Sequence, residues 1–171
     1  MKLFIGILLF ASTASAQLPQ LPANTRSEKI HLKWKMDRNK WITGGLVFFA
    51  GASKGFNETL TFHWKYFHRK FPNANVQWFN PAISWRNKYE DRDPNKGAKF
   101  PLSTSLLVMT TDQYHLNNFI TRASWSTALV IKIGEPKKPL KYYLKDLLFY
   151  SACNMAGFSV MYVPFTKNNK K

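Results

Sequence analysis

The chain has 171 residues, with 25 lysines and arginines against 9 aspartates and glutamates, a formal net charge of +16. Such an excess suits three kinds of partner: nucleic acid, anionic lipid or an acidic polymer. Cys153 is the only cysteine, so an intrachain disulfide is excluded and packing, or lipid, must hold the fold. Aromatic residues make up 16% of the chain and six are tryptophans, side chains that favour places dry at one end and wet at the other.

In chain order, residues 1–16 have the three parts of a secretory signal. Lys2 supplies the positive start, Leu3 to Phe10 the short apolar run, and Ala14-Ser15-Ala16 a cleavage pattern that leaves Gln17 at the head of the mature chain. The apolar run is too short to span a bilayer, which takes about 20 residues. Export makes nucleic acid the least natural of the three partners. Residues 17–40 form a basic lead-in, Pro-rich from Gln17 to Asn24. From Glu28 to Met36, Ile30, Leu32, Trp34 and Met36 alternate with Lys29, His31, Lys33 and Lys35. This period of two predicts a half-exposed strand, with Phe158–Val163 as its nearest partner. The same pattern also fits a basic interfacial segment that dips four apolar side chains into lipid, and the sequence does not separate the two.

Residues 41–165 read as a single helical domain, followed by a basic tail at residues 166–171. Ile42 to Phe71 predicts the first long helix: Ile42, Leu46, Phe49, Ser53, Phe56, Leu60, His63 and Phe67 recur at steps of four and three on one stripe. Gly51 and Gly55 form a small-xxx-small pair that lets another helix approach closely. A strand reading competes over Thr59–His68, where Leu60, Phe62, Trp64 and Tyr66 alternate. Phe71-Pro72 ends the helix, and little periodicity follows up to Pro101. Within that stretch Asn80-Pro81 reads as an N-cap with proline at the first helical position, and Asp91–Gly97 as a charged turn. Leu102 to Ile133 predicts the second long helical region, with a break near Asn117-Asn118. Gly134-Glu135-Pro136 stops it, and Pro139 opens a third helix over Leu140–Tyr162.

Each long segment approaches bilayer length and carries charges near its middle: Lys54 and Glu58, Asp112 and Arg122, Lys145 and Asp146. A charge at a helix centre costs roughly 2.5–3.5 kcal/mol on insertion. Uncompensated, the charges argue for a soluble or surface-bound domain; paired inside a bundle, for a membrane protein with a polar interior. Lysine and arginine are dense in every connector, so the positive-inside rule has no asymmetry to read. The small-residue patches GGLVFFAGASKG and SACNMAGF favour the membrane. The expected fold is therefore mostly α: a three- or four-helix bundle, membrane-embedded or membrane-associated, with a long aromatic loop and room for one short strand pair.

The segments TTDQYHLNNF, NPAISWRNKY and HWKYFHRKFPNAN resemble a set of small uncharacterised bacterial and phage-borne proteins, exported or membrane-bound. The set shares a similar order of Gly-rich segment, Phe-Pro-Asn corner, Trp-containing loop and Asp-x-Tyr-His helix. The resemblance covers roughly Gly44 to Phe165. It implies a recurrent fold and carries no established activity, so no catalytic residues are transferred.

Four polar residues form the candidate catalytic set. Asp112 and His115, three apart on one helix face, can orient an imidazole for base work or bind a metal; the plainer alternative is a structural hydrogen bond between two buried groups. Glu58 and His63, five apart, share a face poorly and would join them only across two helices, where the four could hold one divalent metal. The Glu-x-x-His repeat of di-metal bundles is missing. The plainer alternative for this pair is a Lys54–Glu58 ion pair beside an interfacial His63. Asn57-Glu58-Thr59 matches a glycosylation sequon, and Cys153 lies among apolar residues as an inert thiol. No cofactor is specified, and a metal stays open.

The sequence thus supports an exported, membrane-associated helical protein with a structural or interaction role in the cell envelope, using Trp78, Phe79 and Trp85 as a binding loop over the bundle mouth. Its expected partners are anionic membrane lipid and a protein. Two alternatives stand beside it: a metal-assisted or acid–base hydrolase using Glu58, His63, Asp112 and His115, and a secreted basic protein that binds polyanions.

Overall fold

A computed structural model describes residues 34–166. The signal-like segment, the lead-in before Trp34 with most of its alternating pattern, and the tail from Lys167 lie outside the described residues. Six α-helices account for most of what is described: α1 (Arg38–Phe62), α2 (Trp64–Lys70), α3 (Val76–Phe79), α4 (Pro81–Ser84), α5 (Gln113–Ile133) and α6 (Leu140–Tyr162).

Asp37 starts α1 by accepting the Lys40 N–H at 2.9 Å, an N-cap of the usual kind. The helix ends at His63, whose φ of −125° and ψ of 25° break the spiral before α2. The single helix expected over Ile42–Phe71 is therefore two. Asn80 caps α4 as its sequence suggests, accepting from Ala82 N at 3.1 Å. Short 3-10 turns follow at Trp85–Lys88, Glu90–Arg92 and Pro94–Lys96.

The second long helix begins at Gln113, eleven residues later than Leu102. Hydroxyls explain the delay. Thr110 donates to Leu107 O at 2.8 Å and Thr111 to Val108 O at 2.7 Å, local bonds that compete with a helical ladder, while Ser103 donates back to Lys88 O at 2.7 Å and ties the stretch to the preceding turns. Past its start, α5 runs unbroken through Asn117-Asn118, because those amides bond to α1 and leave their own backbone alone. The Phe158–Val163 stretch, expected as a possible strand, is the last turn of α6 and the start of a 3-10 turn. Among the described residues there is no strand, only one isolated bridge between Tyr89 and Ala98, so no strand pair forms there.

Helix α1 lies between α5 and α6. It runs parallel to α6: Gly44 faces Phe149, Gly51 faces Asn154, and Gly55 faces Phe158. It runs antiparallel to α5: Asn57 bonds to Asn117, and the Ala50 carbonyl accepts from Thr121. At about 1.5 Å per residue, helices of 25, 21 and 23 residues are each long enough for a hydrocarbon layer about 30 Å thick.

The side chains are distributed inside out. The buried hydrophobics are Val47, Ala50, Leu60, Phe67 and Ala128, whereas Lys40, Thr43, Asn57, Thr59, Asp112, Asn117, Ser124 and Asp146 are among the buried polar residues. Large apolar side chains instead cover the outside: Ile42 and Phe49 on α1, Leu129 and Val130 on α5, Leu144, Leu148, Met155 and Val160 on α6. Of the predicted α1 stripe, Ile42 and Phe49 thus face outward while Leu60 and Phe67 are buried. Helix α6 with its following turn, Leu140–Phe165, is long and apolar enough to cross a membrane, and only 6% of its most apolar window is buried.

Candidate functional site

The end of the helices where α1 finishes and α5 begins carries the predicted polar residues. Asp112 is the N-cap of α5 and lies just outside the helix proper. Its Oδ1 accepts the His115 backbone N–H at 2.9 Å, and its Oδ2 lies 2.7 Å from His115 Nδ1. A carboxylate oxygen can only accept, so the contact orients the ring when Nδ1 carries the proton. Asp112 is fully buried and the His115 side chain is one-fifth exposed. The spacing of three, read from sequence as a shared helix face, is here the reach of an N-cap to position N3.

Glu58 and His63 go elsewhere. Glu58 pairs with Lys54 at 2.5 Å along α1. His63 lies 3.0 Å from the Tyr162 hydroxyl, with the two rings edge to face. The four candidate residues are thus engaged in three separate contacts, and among the described residues no three His, Cys, Asp or Glu side chains gather as a metal site would need. Asn57 and Thr59 of the sequon are buried, so the folded chain does not offer Asn57 to a glycan.

What joins α1 to α5 at this end is a chain of amides. Trp78 Nε1 donates to Gln113 Oε1 at 3.1 Å, and Gln113 Nε2 to Asn117 Oδ1 at 2.9 Å. Asn117 Nδ2 donates to Asn57 Oδ1 at 2.9 Å, and Asn57 Nδ2 donates both to Tyr114 O and to Asn118 Oδ1 at 3.1 Å. Each linking amide both gives and receives, so the buried network is satisfied along its length. Sequence reasoning named Trp78 but missed its partners; the signal was three amide side chains in the first six residues of α5.

Two members of the aromatic loop turn inward. Trp78 is tied to Gln113, and Phe79 packs against Phe56 and Phe67 with ring centres 6.4 and 5.8 Å apart. Trp85 is exposed, with the Arg86 guanidinium 5.3 Å over its ring. Asn87 fastens the loop by donating to Gln77 O at 2.7 Å and to Thr111 O at 3.0 Å.

At the opposite end, where α5 turns into α6, lies a charged cluster that the sequence did not reveal. Asp146, 3% exposed, accepts from Trp34 Nε1 at 2.8 Å and from Lys132 Nζ at 3.0 Å. Lys132 also donates to Glu135 Oε2 at 2.6 Å, and Lys138 donates to the same oxygen. Burial raises the pKa of Glu135, but the hydrogen bonds from Lys132 and Lys138 outweigh it and hold the carboxyl below its ordinary value. The sequence marks Asp146 only as a charge near mid-helix; its partners are 14 and 112 positions away, beyond any spacing rule.

Comparison with protein families, with curated proteins and with solved structures finds no match. The functional reading therefore rests on the chain's own physics.

Proposed function

We propose that the protein is an exported helical bundle seated in a membrane of the cell envelope, with a structural or interaction role carried by its aromatic cap, the segment from α2 through Trp85. The carrying observation is the inside-out distribution of side chains. In water, a helix as apolar as α6 is normally covered by its neighbours, and large exposed apolar surface marks contact with lipid or protein. Here such residues cover the outside while asparagines, threonines and an aspartate line the contacts between helices, as expected where lipid replaces water. Residues 147–166 contain no charged side chain, a run of bilayer length.

Anionic lipid is the partner that best fits the +16 charge. Basic residues flank both ends, with Lys137 and Lys141 at the hairpin and Lys65, Arg69 and Lys70 at the cap, where exposed ammonium and guanidinium groups can reach headgroup phosphate. The hydrolase alternative draws no support from its four residues, which do not converge. Export is supported by the pattern at Lys2, Leu3–Phe10 and Ala14-Ser15-Ala16, and predicts a mature chain beginning at Gln17.

Membrane fractionation tests this reading. The mature chain is expected to stay with membranes through both high salt and carbonate. Release by carbonate would replace the embedded reading with a surface-bound one. Release by salt alone would make charge the anchor and turn the argument toward a polyanion binder.

A further inference from the structure

A cleft of about 470 Å³ opens between the end of α1, α2, the corner after it and α3, within the size range of small-ligand sites. Phe56, Phe67, Phe71 and Phe79 wall it together with Pro72, and Lys70 stands at its edge as the one charged lining residue. The aromatic packing is continuous from the cleft to the end of α6, because Phe165 lies 5.7 Å from Phe67 and 6.3 Å from Phe71, ring centre to ring centre.

The position of Lys70 sets the depth of the cleft. Its Nζ donates to Pro164 O at 2.9 Å and lies 4.9 Å from the Phe165 ring centre. Pro164 is near the end of the uncharged run that closes at Thr166. A lysine at that level sits where headgroups begin, its stem along apolar surface and its charge toward phosphate. An ammonium has three N–H donors and Pro164 takes one, so two are left for an anion. Lys65 and Arg69 on the same helix are exposed and add positive potential.

We infer that this cleft holds one acyl chain of an anionic phospholipid, with its phosphate on Lys70. The inference rests on the membrane seating proposed above. The mostly apolar, phenyl-lined walls take the chain, with Asn73 the one uncharged polar residue among them, and the single cation at the mouth selects a net negative head over a zwitterionic one. Bound in this way, the lipid would pin α2 and the corner at Pro72 to the bilayer surface and so hold the aromatic cap in register with it.

Photo-crosslinking of the full chain tests this. The protein is reconstituted in phosphatidylcholine vesicles carrying a trace of phosphatidylglycerol or, in parallel, of phosphatidylcholine, each with a diazirine near the end of one acyl chain. Labelled peptides are then mapped. Phosphatidylglycerol is expected to label residues 65–80 above its labelling by phosphatidylcholine. Lys70→Gln, which keeps a donor for Pro164, should lower that labelling about fivefold while labelling on the outer face of α6 stays constant. Ala74→Trp should fill the cleft and remove the labelling by both lipids. Equal labelling by the two lipids, indifferent to Lys70→Gln, would overturn the headgroup assignment. Label confined to Leu148, Met155 and the rest of the outer face would overturn the cleft as a lipid site while leaving the membrane seat intact. A chain that takes no label and fails to float with vesicles would overturn both.

Discussion

Helix α1 holds its two long neighbours by different physical means. Against α6 the backbones themselves come into contact at the glycines, with Thr59 Oγ1 donating to Met161 O at 2.8 Å and Asn154 Nδ2 to Val47 O at 3.2 Å beside them. A Cβ added at Gly51 would run into the Asn154 carbonyl, one at Gly55 into that of Phe158, and one at Gly157 into that of Phe48. Against α5 the contact at the cap end is between side-chain amides, Asn57 with Asn117 and Asn118. The glycine contacts of the first seam require the absence of side chains, and the amide contacts of the second their presence. In both, packing and hydrogen bonds hold the helices together.

The contrast can be broken most forcefully at the glycine seam. Gly51→Leu should cost about 3 kcal/mol or more, since the obstructing atoms are backbone and cannot rotate away. Gly45→Leu, on the same helix with open space around it, should be neutral or slightly stabilising through better helix propensity. Unfolding of the two variants in mild detergent reads the difference directly, and equal losses would remove close backbone approach as the explanation.

The amide seam should respond less. Asn57→Leu removes the acceptor of Asn117 Nδ2 and the donor to Asn118 Oδ1, and should cost about 2 kcal/mol. A double-mutant cycle of Asn57→Ala with Asn117→Ala should show a coupling of about 1 kcal/mol. Additive losses would mean that the two amides are neighbours without being energetic partners.

Smaller again is the effect of the cap on α5. Asp112→Ala removes the N-cap and the His115 contact together, and should lower stability by about 1 kcal/mol, whereas Asp112→Asn should keep most of the cap. If the two variants lose stability alike, the imidazole contact outweighs the cap. The last effect disappears in acid and sharpens the view of the hairpin, where all three helices meet. Glu135 has a folded-state pKa below its ordinary value near 4.5, so its share of stability is present above about pH 4.5 and fades as the pH falls through the lower folded value. Unfolding midpoints followed from neutral to acid pH should therefore converge for wild type and Glu135→Gln at the acid end. A gap that persists there would mean that charge is not what Glu135 contributes.

Much of the helical outline is legible in the residues. Pro139 and the uncharged run after Asp146 set out α6 over Leu140–Tyr162, Asn80-Pro81 marks the start of α4, and Gly51/Gly55 announce a close helix contact. The partner face on α6 was only half legible: Gly157 is in the contact, while its neighbour Ala156 is exposed. The candidate site was less so. The Asp112–His115 contact is visible because it is local, but its nature as a cap is not, since a helix boundary depends on whether the preceding hydroxyls bond their own backbone or join the ladder. The expected meeting with Glu58 and His63 does not occur, because Lys54 and Tyr162 engage them instead.

What the sequence by itself determined is the local order: where the long helical stretches roughly lie, where prolines and some caps bound them, and that those stretches approach bilayer length. These follow from propensity and periodicity within a few turns of chain. What only the tertiary structure decided is direction and partnership. Periodicity identifies a stripe such as Ile42–Phe49, yet the same stripe can face a core in water or lipid in a membrane, and here it faces outward. The Asn57–Asn117 and Trp34–Asp146 bonds join residues 60 and 112 positions apart. Such pairings are chosen by the geometry of three helices settling together, and no spacing along the chain encodes them.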